Sequence, residues 1–332
     1  MVKHFTARIT GLGSYLPKKI LSNSDLEKMV DTSEDWIITR TGIQERRIAD
    51  DTEYPSTMGA QAAKDALEAA GISAEEVDAI IVSTMTPDYI SPSTAALIQH
   101  TLGATKACAI DIQAACTGFL YALSIAKGWI ESKMYKTVLV VSSEKNSAFI
   151  DYTDRSMCVL WGDGAGACIV QGHGSGYVID HISLGADGEQ SSLISIAGGG
   201  SRNPATQHTV EHKLHYMQMS GREVFKHAVR RMESAAKECI ESSNISQSDI
   251  SWFIPHQANL RIMEAIAKRF EIPEERIVKT VEKYGNTSSS TIPIALLELS
   301  KAHPINDKEH ILLVAFGGGL TWGASLLTKC SE

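Results

Sequence analysis

The stretch AAKDALEAAGIS at Ala62–Ser73 returns as AAKECIESSNIS at Ala235–Ser246. The offset is 173 residues, and six of the twelve positions are identical. The match continues outward: Glu76-Val77-Asp78 answers to Asp249-Ile250-Ser251, and an apolar run follows each. Self-similarity at a fixed offset speaks to architecture. It divides the chain into two related units, 1–171 and 172–332, packed about a pseudo-twofold axis. The boundary falls in Gln171–Gly176, where three glycines occur. The length of 332 residues suits this, since a core-sized unit takes about 150.

Strand-like runs occupy Ala79–Thr84, Thr137–Ser142, Ala167–Val170, Trp252–Ile254 and Ile311–Phe316. Helical periodicity marks Met58–Ala70, Gly118–Glu131, Glu223–Glu241, Leu260–Phe270 and Ile292–Lys301. Alternating strands and helices predict an α/β fold with buried sheets. Phe119, Leu120, Ala122, Leu123, Ile125, Ala126 and Trp129 make one helix apolar nearly all round. Such a helix is expected to be buried on every side, between two sheets.

Composition excludes several classes. Apolar residues make up 43% and charged residues 21%, an ordinary globular mix. The net charge of −8 opposes nucleic-acid binding, which needs cationic surface. Ile311–Thr328 is uncharged, but Gly317-Gly318-Gly319 interrupts it; it reads as strand–turn–strand, and no membrane span is expected. Met1–Tyr15 has no apolar core of signal-peptide length, so the expected location is the cytoplasm. Cysteines at 108, 116, 158, 168, 239 and 330 form no C-x-x-C pair and read as free thiols.

Cys116 stands apart from the other five, which read as packing residues. The strand Ala107–Ile112 ends just before it and the apolar helix begins just after it. A helix N-terminus favours thiolate, so a lowered pKa and a nucleophilic role are expected. His256 follows the strand Trp252–Ile254, and Asn286 lies in a polar turn before the helix from Thr291. An imidazole and an amide can together hold a carbonyl oxygen as it becomes an enolate. Phe316-Gly317-Gly318-Gly319 can offer a backbone N–H to an oxyanion. Taken singly, each has an ordinary reading: packed thiol, satisfied core imidazole, turn asparagine, tight hairpin. Ala197–Arg202, with three glycines, reads as a mobile loop with no strand around it.

AACTGF around Cys116, PHQAN around His256, GNTSSS around Asn286 and FGGGLTWG at 316–323 occur in one order. Gly11–Pro17, Asp35-Trp36, Arg40–Ile43 and Trp161–Ala167 add further matches. With these the chain strongly resembles β-ketoacyl-acyl-carrier-protein synthase III, over nearly its whole length. The resemblance implies a thiolase-like five-layered αβαβα fold built from two duplicated halves, a homodimer and no cofactor. It implies an acyltransferase that initiates fatty-acid synthesis. Cys116 would be acylated by a short acyl-CoA, acetyl-CoA in the first instance. His256 and Asn286 would stabilise the enolate of decarboxylating malonyl-acyl-carrier protein. The N–H groups of Cys116 and Gly318 would hold the oxyanion.

For CoA and its pantetheine arm the resemblance implies Thr32, Trp36, Arg40, Arg155, Gly221, Phe225 and Asn259, with Trp36 and Arg155 enclosing the adenine. For docking of the acidic carrier protein we read Lys226, Arg230, Arg261, Lys268 and Arg269, placed by helical spacing on shared faces. His208, His212 and His215 have a spacing that could suit a metal, but His212–Met219 alternates like a strand and no metal is expected. Two alternatives stay open: a same-fold acyltransferase of secondary metabolism, and a Cys-His-Asn thioester hydrolase. Thr84–Thr94 is expected to border the acyl pocket across the dimer interface, with Asp88–Pro92 departing from the family's aromatic-proline pattern.

Overall fold

The computed structural model describes residues 5–331; Met1–His4, which open the N-terminal stretch read above, and Glu332 lie outside them. Nine strands join in one sheet, in the order Ile250–Pro255, His310–Gly317, Thr321–Cys330, Gly176–Ala186, Arg8–Tyr15, Gly164–Gln171, Thr137–Glu144, Ala79–Ser83 and Cys108–Ile112. Counted outward from the middle, both arms repeat one pattern. Arg8–Tyr15 pairs antiparallel with Gly164–Gln171, which pairs antiparallel with Thr137–Glu144; two parallel pairings follow. Gly176–Ala186 pairs antiparallel with Thr321–Cys330, then comes the antiparallel His310–Gly317 and the parallel Ile250–Pro255. The second arm's fifth strand is reduced to a parallel bridge between Phe253 and Ile277. Within the sheet the two arms are joined by the pairing of Arg8 and Ile9 with Val178 and Tyr177.

Side chains alternate along each strand, so the sheets are coated on both faces. Ile80, Val82, Leu139 and Val141 pack outward with Met58, Ala62 and Ala63 of the helix Pro55–Ala70. Leu312, Val314 and Phe316 pack outward with the helix Gly221–Ser242. The opposite faces, Ile81, Val138 and Val140 in one arm and Ile311 and Leu313 in the other, enclose the helices Gly118–Glu131 and Thr291–Ala302. Helix, sheet, helix pair, sheet, helix: these are the five layers.

The helix Gly118–Glu131 has the boundaries its sequence predicts and lies between the sheets. It is not buried on every side. Gly128 and Glu131 reach solvent, and Lys127 Nζ pairs with Glu131 at its outer end. Other expectations need correction. Arg8–Tyr15 and Gly176–Ala186 are full strands that apolar runs do not mark, because glycines and polar residues break both. A short strand, Ile194–Ile196, precedes the loop Ala197–Arg202 and pairs with Met217–Met219. Of His212–Met219 only those last three residues are strand. His208 lies on the helix Gln207–Glu211 and His212 follows its end. His215 Nε2 contacts Thr209 Oγ1 at 3.0 Å. Among the described residues, no group of three or more His, Cys, Asp or Glu could hold a metal ion. Cys108 is exposed, its Sγ 3.3 Å from Tyr135 Oη, so it is not a packing residue. Among the described residues, no helix is long and apolar enough to cross a membrane.

Leu123 is fully buried in the layer between the sheets. Leu123→Ala should destabilise the fold by about 2–5 kcal/mol, as removal of a core leucine does. Urea unfolding followed by tryptophan fluorescence checks this.

Candidate active site

The strand Cys108–Ile112 ends at the inner edge of the site, and the chain must reverse within a few residues to enter the helix from Gly118. It does so through Ala115, at φ 45°, a left-handed conformation that costs a non-glycine residue of order 1–3 kcal/mol. That turn delivers Cys116. The end of the strand His310–Gly317 presses against it from the other arm. A Cβ on Gly317 would stand 2.7 Å from the Cys116 backbone nitrogen, so only glycine permits the approach.

His256 leaves the end of the strand Ile250–Pro255, its N–H donating to the Val314 carbonyl at 2.7 Å. Its Nδ1 is 2.7 Å from Thr291 Oγ1. Asn286 is stitched to the other arm by its backbone: its N–H donates to the Leu160 carbonyl at 2.8 Å, and its carbonyl accepts from Gly162 N–H at 3.0 Å. Its side-chain Oδ1 accepts from the Ser288 N–H at 2.8 Å, which turns the NH2 group away from that bond. Cys116, His256 and Asn286 line one cavity of about 240 Å³, together with Gly221, Phe225 and Asn259. All six were expected at the site.

The reacting groups are buried, and burial sets their charges. Burial pushes the Cys116 thiol up to about 12, the nearby Glu144 carboxyl adds to the rise, and the Ser288 hydroxyl at 3.6 Å opposes it. The shift runs opposite to the lowering expected at the helix N-terminus, because burial withdraws the sulfur from solvent. Burial drives the His256 imidazole down to about 3. Thiol and imidazole are both neutral at rest.

Sequence reading missed the packing behind these groups. Thr287, Ser288, Ser289, Ser290 and Thr291 are five consecutive hydroxyl residues, all buried. Glu144 is fully buried, with no basic partner among the hydrogen bonds it makes: Oε2 accepts from Thr84 Oγ1, Met85 N–H and Thr86 Oγ1, and Oε1 from Ser289 Oγ. Hydroxyl runs ordinarily mark turns and a lone acid ordinarily marks surface, so neither carries a local signal.

A family model described as 3-oxoacyl-[acyl-carrier-protein (ACP)] synthase III matches residues 110–188, and one for the C-terminal part of that enzyme matches residues 240–329. A β-ketoacyl-[acyl-carrier-protein] synthase III of Chlamydia trachomatis serovar D is 57% identical over 97% of this chain and 99% of its own. The chain belongs to the β-ketoacyl-acyl-carrier-protein synthase III family. A namesake from Caldanaerobacter subterraneus subsp. tengcongensis is 49% identical over 98% of this chain and 99% of its own. The crystal structure of the Aquifex aeolicus VF5 3-oxoacyl-[acyl-carrier-protein] synthase III superposes with a TM-score of 0.89 at 46% identity, covering 97% of this chain and 99% of that one.

The other residues expected from the β-ketoacyl-acyl-carrier-protein synthase III pattern fall in three places. Trp36 has the guanidinium carbons of Arg155 and Arg40 over its ring, at 5.1 and 6.0 Å. Arg155 Nη1 donates to the Asp31 carbonyl at 2.7 Å, and the Thr32 hydroxyl next to it is buried without a partner. Asn259 has a second duty: its Oδ1 caps the helix Leu260–Arg269 and its Nδ2 donates to the Arg40 carbonyl at 3.0 Å, tying the tryptophan helix to the cavity wall. Lys226, Arg230, Arg261, Lys268 and Arg269 are all exposed, on two helices that pack together. Lys226 pairs with Glu223 and Arg269 with Glu233. Gly318 instead borders a second, more open cavity of about 860 Å³, with Met85, Ile90, Ala115 and Gly198–Gly200.

An ordinary imidazole binds a proton near 6.5, whereas folded His256 does so only near 3. The unfolded chain holds the extra proton between those values, so this residue's contribution to stability should be lost as pH falls from about 6.5 toward 3. In His256→Gln that part of the slope should vanish. Urea midpoints of both proteins from about pH 4 to 7 check it; parallel profiles would contradict it.

Proposed function

We propose that the chain catalyses the initiating condensation of fatty-acid synthesis. A short acyl-CoA, acetyl-CoA in the first instance, is joined to malonyl-acyl-carrier protein, giving 3-oxoacyl-acyl-carrier protein, CoA and CO2. One observation carries this: Cys116, His256 and Asn286 open on a single cavity that continues along Gly221, Phe225 and Asn259 toward the surface. In the first half, Cys116 Sγ attacks the thioester carbonyl, and the CoA sulfur leaves with the proton the thiol gave up. In the second, CO2 departs from the malonyl group and its bonding electrons move onto the thioester oxygen. Asn286 Nδ2–H and His256 Nε2–H receive that charge. The Thr291 hydroxyl also reaches the Ser288 carbonyl at 3.1 Å; turned from there to His256 Nδ1, its proton keeps the imidazole proton on Nε2. The enolate carbon then attacks the acyl-Cys116 carbonyl, with N–H groups of Cys116 and Gly318 holding the oxyanion until it collapses, the C–S bond breaks, and Cys116 leaves as a thiolate that takes up a proton from solvent. These donors act on charge that exists only along the reaction path, where they accelerate it most.

A Cys-His-Asn thioester hydrolase is the weaker reading. That chemistry needs a thiolate beside a charged imidazole oriented by the asparagine. Here Thr291, not an asparagine, contacts the His256 imidazole, and the Asn286 oxygen is committed to Ser288. The proposal includes a cytoplasmic homodimer. Ile90 is 91% exposed at the tip of the segment Thr84–Thr94, and among the described residues the strand Cys108–Ile112 leaves one edge of the sheet unpaired, a surface that native proteins cover. The exposed arginines and lysines of the helices Gly221–Ser242 and Leu260–Arg269 would receive the acidic carrier protein, Trp36, Arg40, Arg155 and Thr32 the nucleotide end of CoA.

Intact-mass analysis with acyl-CoAs, followed by peptide mapping, should find one acyl group on Cys116. Free acid accumulating without an adduct would favour the hydrolase. Cys116→Ala should abolish acyl transfer while malonyl decarboxylation persists. Asn286→Ala should slow decarboxylation by about 100-fold or more, as loss of an oxyanion donor does, while Cys116 still becomes acylated. Arg261→Glu should raise the KM for carrier protein and leave priming by acyl-CoA intact; equal losses in both would count against docking there.

A further inference from the structure

One hydroxyl stands between two sulfurs beside the site. Ser288 Oγ is 3.6 Å from Cys116 Sγ and 3.4 Å from Met85 Sδ; Ser288 and Cys116 are buried and Met85 is half-buried. Its placement is over-determined. Ser288 has φ 55°, left-handed and strained for a residue with a Cβ. Its N–H is bound to Asn286 Oδ1. The next residue, Ser289, donates to Glu144 Oε1 at 2.9 Å, while Glu144 Oε2 accepts the N–H of Met85 at 3.1 Å. One buried carboxyl thus sets the position of the Met85 backbone and of the serine corner together.

We propose that Ser288 is a positioning residue for the nucleophile: its hydroxyl proton turns from the Met85 thioether to the Cys116 sulfur as the thiol becomes a thiolate. The proposal rests on Cys116 being the nucleophile in the reading above. A thioether is a weak acceptor and gives the proton up easily, whereas a thiolate accepts a charge-assisted bond. In the resting enzyme the same oxygen can accept from the Cys116 S–H. No atom other than the hydroxyl proton has to move. The alternative sources of charge around the sulfur do not do this work: Glu144 opposes ionisation and His256 is neutral. Ser288 is the one side chain that draws the thiol downward against burial. The strain stored in its backbone makes sense on this account, because a relaxed turn would carry the hydroxyl elsewhere.

The test needs no substrate. The full-length protein is alkylated with iodoacetamide between about pH 6 and 9, where rate follows thiolate population, and modification at Cys116 is followed by peptide mapping. Ser288→Ala and Ser288→Gly should both alkylate about tenfold more slowly across the range, the effect of raising the thiol pKa by about one unit. The glycine variant suits the left-handed backbone and guards against misfolding of the alanine variant. Urea midpoints are measured alongside. A rate equal to or faster than the parent's in the folded variants overturns the proposal, whatever happens to the midpoint. If Cys116 alkylates as expected but no acyl group is ever found on it, Ser288 still positions the thiol and the functional reading is what fails.

Discussion

Everything at the site hangs on a backbone seam between the two arms of the fold. Asn286 belongs to the second arm, yet its N–H and carbonyl are bonded to Leu160 and Gly162 of the first. Nδ2 of Asn146 reaches the Gly162 carbonyl at 2.7 Å, and beneath the seam the guanidinium of Arg46 is fully buried on the carbonyls of Leu21 and Val159 and on Asn23 Oδ1. The seam is tight enough that a Cβ on Gly162 would stand 2.2 Å from the Tyr284 carbonyl oxygen. Neither arm can slide without breaking buried hydrogen bonds, and a buried polar group left unpaired is strongly unfavourable. This is what holds an amide from one half beside a thiol from the other.

The second consequence of two packed halves is burial. Placing the reacting groups between sheets removes water from them, and the cost falls on charge. The thiol rises, the imidazole falls, and the acids Glu144 and Asp163 are pushed up by burial as well. The molecule answers with neutral donors. The hydroxyls of Ser289, Ser290 and Thr291 and the amides of Asn146 and Gln257 donate to buried oxygens, while the ion pairs stay at or near the surface. A low-polarity cavity lined by fixed donors suits a reaction whose charge appears late and on one oxygen.

Much of the architecture is legible in the chain. The helix Gly118–Glu131 is marked end to end because it combines an apolar circumference with a glycine start, and the repeat at 62–73 and 235–246 marks the duplicated helices of the outer layers. Strands with long apolar runs are legible for the same reason. Arg8–Tyr15 and Gly176–Ala186 are not, since each alternates glycine and polar residues along a ladder that only its neighbours complete. Within the site, Cys116, His256 and Asn286 stand out through the motifs around them. Glu144, Ser288 and Thr291 do not, because an acid or a hydroxyl in sequence looks the same whether it faces solvent or a sulfur.

The sequence by itself therefore determined the duplication, through its internal repeat, and the layers and the identity of the groups that meet, through motifs that resemble those of a known family. Only the tertiary structure decided their ionisation, their orientation and their partners. A helix N-terminus would lower a thiol's pKa if the thiol kept its water, but here the opposite shift prevails, because desolvation depends on chain segments far away in sequence. Likewise the direction of the Asn286 amide and the hydrogen bond on His256 are set by Ser288 and Thr291, whose positions follow from the seam between the halves.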